Sequence, residues 1–298
     1  MDKHKYLSQF FKENFGGKVA KISIDGGFTC PNRIAGGEGC LFCTEKGAGE
    51  FSGDSGKSIS CQIAEGRAIM DKKWKNIGYI AYFQNYTNTY SDVMRLKKLY
   101  DEALSCEKVL GLAIATRPDC LGNDVLELLD DYNKKTFLWI ELGLQTSNPN
   151  TADIINRGYD NDVFEDSIHK LHKLGIRTVV HLIGGLPGEK KKQFLESVHY
   201  INKIRPWGIK FHSIYIQKNS PLYQFSDQTG FEPLEMHEYI DWVTDGLMLL
   251  NKKVIVHRLT GDPDKKLLVK PMWQKDKLKV LSEIKRIFDL KNKIKSRS

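Results

Sequence analysis

Residues 19–51 read VAKISIDGGFTCPNRIAGGEGCLFCTEKGAGEF, a short apolar run followed by a loop in which three cysteines lie among glycines. Cys30, Cys40 and Cys43 follow the spacing C-x9-C-x2-C. Three thiolates can close on one metal centre only if the backbone wraps tightly around it. Glycine permits the backbone angles that such a loop needs, and glycines occupy positions 36, 37, 39, 47 and 49. We therefore predict a metal site directly after a first strand.

The rest of the chain alternates strand-like and helix-like segments. Short apolar runs predict strands at 19–24, 79–83, 109–115, 137–144, 178–183 and 209–216, with helix-period stretches between them. Strands joined by crossover helices lie parallel, so the pattern predicts an α/β fold. The sequence alone leaves open whether the sheet is doubly wound or curves into a partial barrel. Polar clusters follow the carboxyl ends of the predicted strands, where parallel α/β folds gather catalytic groups.

Composition narrows the class of protein. With 298 residues, of which 41% are hydrophobic and 28% charged, the chain is long enough to bury a substantial core. No stretch approaches the roughly 20 apolar residues that cross a bilayer, so we expect a cytoplasmic protein without a membrane partner. Six cysteines, three of them within one loop, do not form a disulfide scaffold. Their distribution favours a metal site in a reducing compartment.

Two other uses of the cysteine loop are conceivable. A closed zinc site needs four ligands, and only Cys40 and Cys43 form a pair, so the fourth would come from Cys61 or a histidine. A redox pair of the C-x-x-C type would leave Cys30 without a role. Both are less favoured than a centre held by three cysteines.

Six motifs carry a resemblance to a known family: DGGFTCPNR at 25–33, GCLFC at 39–43, TRPDC at 116–120, ELGLQT at 141–146, NRGY at 156–159 and HLIGGLPGE at 181–189. The chain resembles the radical S-adenosylmethionine (SAM) superfamily, in the branch related to the elongator catalytic subunit. More narrowly, it is similar to the YtqA/YhcC-type family. The resemblance implies a partial (β/α)6 TIM-type barrel with a C-terminal basic α/β extension. It also implies that Cys30, Cys40 and Cys43 hold a 4Fe-4S cluster whose fourth iron binds SAM.

Strand four supplies candidates for the SAM site. Period-two alternation places Glu141, Gly143 and Gln145 on one face, where the small glycine leaves room for a ligand. A buried carboxylate needs a partner. The resemblance implies that Gln145 points to the ribose or methionine part of SAM and that Arg157 pairs with its carboxylate. On the residues alone, the alternative for Arg157 is a surface ion pair, which is less favoured.

The resemblance implies further contacts with SAM at Phe42, which lies near adenine, at Gln84, Asn85 and Thr87, which meet the amino group, and at His181, which reaches the ribose. Each residue also has a structural reading. Phe42 could be a loop anchor, the segment from Gln84 to Thr87 a polar turn between strand and helix, and His181 a core histidine.

The basic C-terminus and the resemblance bear on the substrate. Residues 251–298 hold fifteen Lys or Arg against five Asp or Glu, while the whole chain carries +8. We expect residues 1–233 to form the barrel and residues 234–298 a basic extension packed on it. Such a surface suits a polyanion, although a solvated basic helix is the simpler reading.

The resemblance implies a tRNA substrate, with the 5-carboxymethylaminomethyl group of a wobble uridine processed toward 5-aminomethyl, and an electron donor such as flavodoxin or ferredoxin. Two alternatives stay open. One is a radical SAM enzyme that acts on a small molecule or a protein. The other is a non-enzymatic nucleic-acid-binding module that contains a metal.

Overall fold

The computed structural model describes residues 4–37, 39–45, 47, 52–75 and 77–296. Gly49 of the cysteine loop and Arg297 of the basic segment lie outside these residues. The helices are α1 Leu7–Phe15, α2 Ile59–Asp71, α3 Val93–Ser105, α4 Asn123–Lys135, α5 Pro149–Ile154, α6 Asn161–Lys173, α7 Lys191–Ile204, α8 Pro221–Thr229, α9 Met236–Leu249 and α10 Lys277–Lys295. The strands are β1 Val19–Ile24, β2 Gly78–Phe83, β3 Val109–Thr116, β4 Phe137–Gln145, β5 Arg177–Gly184, β6 Gly208–Ser213, β7 Ile216–Gln217, β8 Ile255–Arg258 and β9 Leu268–Lys270.

The main sheet has the order β1-β2-β3-β4-β5-β6-β8, and every neighbouring pair is parallel. A doubly wound sheet would reverse its strand order at a switch point. Because the order here follows the sequence, the sheet is a curved partial barrel, and the predicted α/β barrel is confirmed. Two details differ from the prediction. The C-terminal extension contributes a seventh strand, β8, and the sixth strand ends at Ser213 instead of 216.

Alternate strand residues face the two layers of the fold. In β2, Tyr79 and Ala81 belong to the large apolar cluster that the strands form with the outer helices. The intervening Ile80 belongs to a second cluster inside the barrel, together with Leu7 and Phe11 of α1. This alternation follows from the period of two along a strand. It leaves the upper half of the interior for polar groups.

Helix α1 closes the lower end of the barrel. Its phenylalanines meet aromatic side chains of the strands and of the segment before β6, mostly edge to face, in the set Phe10, Phe11, Phe15, Phe137, Trp139 and Trp207. Each such ring pair adds about 0.5–1.5 kcal/mol beyond the area that it buries. The lower end is therefore a packed aromatic plug, and ligands have access from the upper end.

The C-terminal extension packs against the barrel through α9 and α10. Lys291 of α10 forms ion pairs with Asp241 and Asp245 of α9. At the start of the chain, Tyr6 forms a parallel bridge with Val256, so the N-terminal segment lies along β8. No helix in the described ranges is long and apolar enough to cross a bilayer.

We predict that the aromatic plug contributes to the stability of the barrel. Phe11 is only 3% exposed, so Phe11→Ala should lower the free energy of unfolding by about 3–5 kcal/mol, because it leaves a cavity under the barrel. Leu278→Ala is the control, since Leu278 is 80% exposed on α10, and it should change stability by no more than about 0.5 kcal/mol. Urea unfolding of both variants measures the difference. Equal effects would show that α1 does not support the barrel.

Candidate cluster and SAM site

Two adjoining cavities lie at the carboxyl ends of the strands. The first, here called the cysteine cavity, has a volume of about 140 Å³, and Cys30, Cys40 and Cys43 line it together with residues of β2 to β6. The second, the outer cavity, has a volume of about 150 Å³ and includes Ser23, Thr44, Tyr215 and Asp262 in its wall. The two share Phe42, Gly47, Gln84, Gln145, His181, His212 and Arg258.

Backbone hydrogen bonds between residues three positions apart shape the cysteine loop. The Arg33 N–H donates to the Cys30 carbonyl at 2.9 Å, and the Cys43 N–H donates to the Cys40 carbonyl at 2.9 Å. Gly39 has a φ of +78°, in the left-handed region that glycine tolerates. The Asn32 amide donates to the Cys40 sulfur at 3.6 Å and to the Asn156 carbonyl at 2.7 Å. The loop is thus bound to the segment that follows α5.

The thiols of the loop interact with one another. A hydrogen bond from the Cys43 thiol lowers the pKa of the Cys40 thiol to about 7, against the opposing effect of burial. The same bond, together with burial, raises the pKa of Cys43 well above its usual value. Thiolate is the form that binds metal, so Cys40 is prepared for ligation. Cys61 lies on the exposed surface of α2, and the structure brings neither it nor Cys106 or Cys120 to the cavity wall.

The geometry that a cluster requires differs from that of a single metal ion. Among the described residues, no group of three or more His, Cys, Asp or Glu side chains converges on a point that could hold a single metal ion. In a 4Fe-4S cluster each cysteine binds its own iron atom, so the thiols need only surround the cluster. Cys30, Cys40 and Cys43 share one cavity and meet that requirement.

Glu141 lies inside the barrel and lines the cysteine cavity, with its side chain fully buried. Its Oε2 accepts hydrogen bonds from Tyr82 at 2.7 Å and from His181 at 2.9 Å and contacts the Lys210 ammonium, while Oε1 accepts from the Trp139 indole at 3.0 Å. Burial alone would raise the pKa of this carboxyl, but the charge of Lys210 and the hydrogen bond from His181 hold it well below its usual range. Glu141 is therefore an ionised carboxylate in a satisfied network.

His181 takes part in this network as a neutral ring. Burial, and after it the charge of Lys210, lowers the pKa of His181 to about 4. The ring centroid lies 5.1 Å from that of His212. The sequence predicted contact of His181 with the SAM ribose. The structure places it on the wall of both cavities with its Nε2 bonded to Glu141.

Gln145 ends β4 in a left-handed conformation, with a φ of +64°, at a shift in the register with β5. Its amide folds over Gly143, where an added Cβ would lie 2.6 Å from the Gln145 Nε2. The Tyr159 hydroxyl donates to the Gly143 carbonyl. This local geometry turns the Gln145 amide into both cavities, where it can reach a bound ligand.

Arg157 lines the cysteine cavity, yet most of its donors are already used. Its guanidinium donates to the carbonyls of Leu144 and Thr146, to the Tyr159 carbonyl and to the Asn161 side chain, which occupies four of its five N–H groups. It therefore fastens the end of β4 to the NRGY segment. Pairing with the SAM carboxylate stays a prediction that would rely on the one remaining N–H.

Two neighbours of Arg157, Arg117 and Tyr159, were not among the predicted site residues. Arg117 forms a bidentate ion pair with Asp119 and donates to the carbonyls of Arg157 and Gly158. The guanidinium carbons of Arg117 and Arg157 lie 4.7 and 4.8 Å from the centroid of the Tyr159 ring. The signal for them was present, since Arg117 and Tyr159 lie within the TRPDC and NRGY motifs.

The other predicted SAM contacts differ in position. Phe42 and Gln84 line both cavities, and Thr87 lines the cysteine cavity. Within the described part of the chain, the buried Thr87 hydroxyl has no hydrogen-bond partner, so it is open to a ligand. Asn85 is directed elsewhere, because its amide donates to the Asp25 carboxylate at 2.8 Å and it lines neither cavity.

Comparison with known proteins agrees with this geometry. The profile of the Radical SAM superfamily matches residues 27–201, and that of the Radical SAM C-terminal domain matches residues 206–289. The chain belongs to the radical SAM superfamily. The cofactors of this radical SAM protein are a 4Fe-4S cluster and SAM, and the residues of the cysteine cavity fit both.

The relatives place the chain more narrowly. It is 40% identical to YtqA of Bacillus subtilis over 281 residues, which is 93% of this chain and 87% of YtqA. It is 32% identical to YhcC of Escherichia coli K12 over 277 residues, which is 91% of this chain and 88% of YhcC. The fold also matches that of the archaeal Elp3 of Methanocaldococcus infernus, with a TM-score of 0.69 at 14% identity. That match covers 92% of this chain and 63% of the Elp3 chain. The predicted YtqA/YhcC-type family is confirmed.

The first prediction for this site concerns the three cysteines of the loop. Changing Cys30, Cys40 or Cys43 to Ala should abolish iron incorporation and the 4Fe-4S absorbance after anaerobic reconstitution, since each supplies one thiolate. Cys61→Ala is the matched control and should retain both. Loss of the cluster in Cys61→Ala would instead indicate a site with four cysteines.

The second prediction concerns Arg157, which can contribute to stability or to SAM binding. Arg157→Ala removes the donors of several buried carbonyls, so it should lower the free energy of unfolding by at least about 2 kcal/mol. The loss should exceed any weakening of SAM binding. Thermal unfolding and calorimetric SAM titration of one reconstituted preparation measure both. A SAM affinity lowered about 10- to 100-fold with unchanged stability would favour the carboxylate clamp.

Proposed function

We propose that this radical SAM enzyme modifies the C5 side chain of a tRNA wobble uridine, from a 5-carboxymethylaminomethyl toward a 5-aminomethyl group. Cys30, Cys40 and Cys43 would hold the cluster, with Phe42, Thr87, Gln145 and His181 around SAM. The bound cofactors supply a 5′-deoxyadenosyl radical when a donor such as flavodoxin or ferredoxin delivers one electron. The chain's own task is to orient SAM and the substrate and to keep water out.

The observation that carries this proposal is the outer cavity. It adjoins the cysteine cavity, and its wall combines the half-buried ring of Tyr215 with the hydrogen-bonding side chains of Ser23, Ser213 and Gln217. RNA-binding and base-modifying proteins hold single bases splayed out of their stack by aromatic stacking and hydrogen bonds to base edges. The cavity has that composition, and an extruded base within it would lie beside the SAM site.

The surface of the extension supports a polyanionic substrate, although fewer of its cations are available than the sequence suggested. Lys277, Arg286 and Lys291 are held in ion pairs with neighbouring carboxylates. Lys279, Lys285 and Lys293 are exposed on α10, and no residue in the described ranges forms an ion pair with them. These three lysines are the better candidates for contact with phosphates.

A more distant relative also supports an RNA substrate. The tRNA-2-methylthio-N(6)-dimethylallyladenosine synthase of Clostridium botulinum (strain Okra) is 27% identical over 167 residues, which is 53% of this chain and 37% of that enzyme. By its name that enzyme acts on tRNA. The likeness covers about half of this chain, so it supports the chemistry and the substrate class, not the base that is modified.

The test uses the reconstituted, chemically reduced enzyme and tRNA that carries 5-carboxymethylaminomethyluridine. We expect SAM-dependent conversion of this nucleoside to 5-aminomethyluridine in hydrolysates analysed by mass spectrometry, together with formation of 5′-deoxyadenosine. SAM cleavage that tRNA does not stimulate, with unchanged nucleosides, would contradict the proposal and favour a small-molecule or protein substrate.

A second test measures tRNA binding by a variant that lacks the three exposed lysines of α10. Changing Lys279, Lys285 and Lys293 to Gln should weaken tRNA binding and flatten its salt dependence, since each phosphate contact adds about −0.7 to −0.9 to the slope of log K against log salt. The control neutralises three exposed lysines on outer helices, Lys98, Lys135 and Lys173. Equal effects of the two triple variants would show that α10 is not the RNA surface.

A further inference from the structure

The barrel interior holds an excess of positive charge next to the two cavities. Glu141 and Lys210 form an ion pair there with side chains that are 0% and 1% exposed. Lys21 of β1 and Arg258 of β8 add two more cations to the same region. Burying charged groups without close partners is costly. The charge of Glu141 acts on Lys21, and the ion pair of Arg258 with Asp262 is long, at 3.9 Å.

Arg258 lies where three cavities meet. It lines the cysteine cavity, the outer cavity and a third cavity of about 620 Å³ that lies between β1, β8 and α10. Its side chain is 24% exposed and forms a long ion pair with the Asp262 carboxylate, at 3.9 Å. Asp262 also forms a closer ion pair with Lys277, at 2.8 Å. Over the described residues, no acceptor forms a hydrogen bond with the Arg258 guanidinium, so the N–H donors along its edge are available to a ligand.

Lys21 lines the third cavity, as Arg258 does. Its ammonium lies 4.8 Å from the centroid of the Tyr82 ring, and the described part of the chain supplies no carboxylate that pairs with it. Burial lowers the pKa of Lys21, and the charge of Arg258 lowers it further, against the opposing effect of Glu141. The two cations therefore repel each other in a partly buried site, and a bound anion would relieve that repulsion.

We infer that Arg258, supported by the charge of Lys21, binds a carboxylate of the substrate at the junction of the cysteine and outer cavities. A guanidinium suits this ligand because its fork donates two parallel hydrogen bonds to the two oxygens of a carboxylate. This inference rests on the proposed function, in which the C5 side chain of the uridine ends in a carboxylate. SAM carries a carboxylate too, and the test separates the two sources.

The anion site has a consequence for selectivity. A side chain that ends in a carboxylate gains the contact with Arg258, whereas a 5-aminomethyl product lacks the group and carries an ammonium into the same positive environment. The enzyme should therefore prefer its substrate to its product. Loss of the carboxylate would itself promote release.

The experiment compares free nucleosides, so that it does not depend on recognition of tRNA. Dissociation constants of 5-carboxymethylaminomethyluridine and of its methyl ester are measured on the reconstituted enzyme with SAM bound. The wild type should bind the acid about 10- to 100-fold more tightly than the ester, as expected for a charged hydrogen-bonded pair. Arg258→Gln should remove most of this preference, Arg258→Lys should keep part of it, and Lys21→Met should reduce it less than Arg258→Gln does.

The outcomes are distinguishable. Lys192→Gln, a surface change on α7 at a side chain that is 86% exposed, is the control and should keep the preference. Equal binding of acid and ester by the wild type would overturn the inference. So would a fall in SAM affinity of Arg258→Gln as large as its loss for the acid, because that result would assign the site to the SAM carboxylate. If the acid is preferred through Arg258 but tRNA is not modified, the anion site stands and the proposed function fails.

Discussion

The carboxylate of Glu141 lies fully buried in the barrel and contacts the ammonium of Lys210, and the site is built around this ion pair. The network joins β4 and β6 directly and reaches β2 and β5 through Tyr82 and His181. Removing one member of such a pair costs about 3–5 kcal/mol, because it leaves an uncompensated buried charge. The pair also divides the interior, with the aromatic plug of α1 below it and the polar cavities above it. The position of the two cavities and the charge of their walls both depend on that division.

The cysteine loop is positioned by contacts that interlock three motifs. The Leu41 N–H donates to the Ile155 carbonyl at 2.9 Å, and the Asn156 amide donates to the Gly39 carbonyl at 2.8 Å. Arg117, at the end of β3, holds the backbone of the NRGY segment from the other side. The loop between β1 and α2 is thus fixed to the ends of β3 and β4, and the cysteine cavity forms where these segments meet. Such support from a second layer of residues is what holds reactive groups in place.

Much of the fold could be read from the sequence because its determinants are local. Apolar runs and helical periodicity predicted the six barrel strands to within a few residues. The motifs predicted Cys30, Cys40, Cys43 and Gln145 as site residues, and all four line one cavity. The misses arise from long-range contacts. Pairing of β8 with β6 depends on the return of a distant segment, and the carbonyls that engage Arg157 become its neighbours only when β4 ends in a left-handed turn. Lys21 and Arg258 give no sequence signal because strands far apart in the chain bring them together.

We propose that Cys30, Cys40 and Cys43 hold a cluster whose fourth iron binds SAM inside this barrel. Electron-nuclear double resonance on the reduced enzyme tests it directly, with SAM labelled by 15N in the amino group and by 17O in the carboxylate. The account predicts that SAM changes the signal of the cluster and that both labels show hyperfine coupling to it. A cluster signal that SAM leaves unchanged, with no coupling to either label, would contradict it.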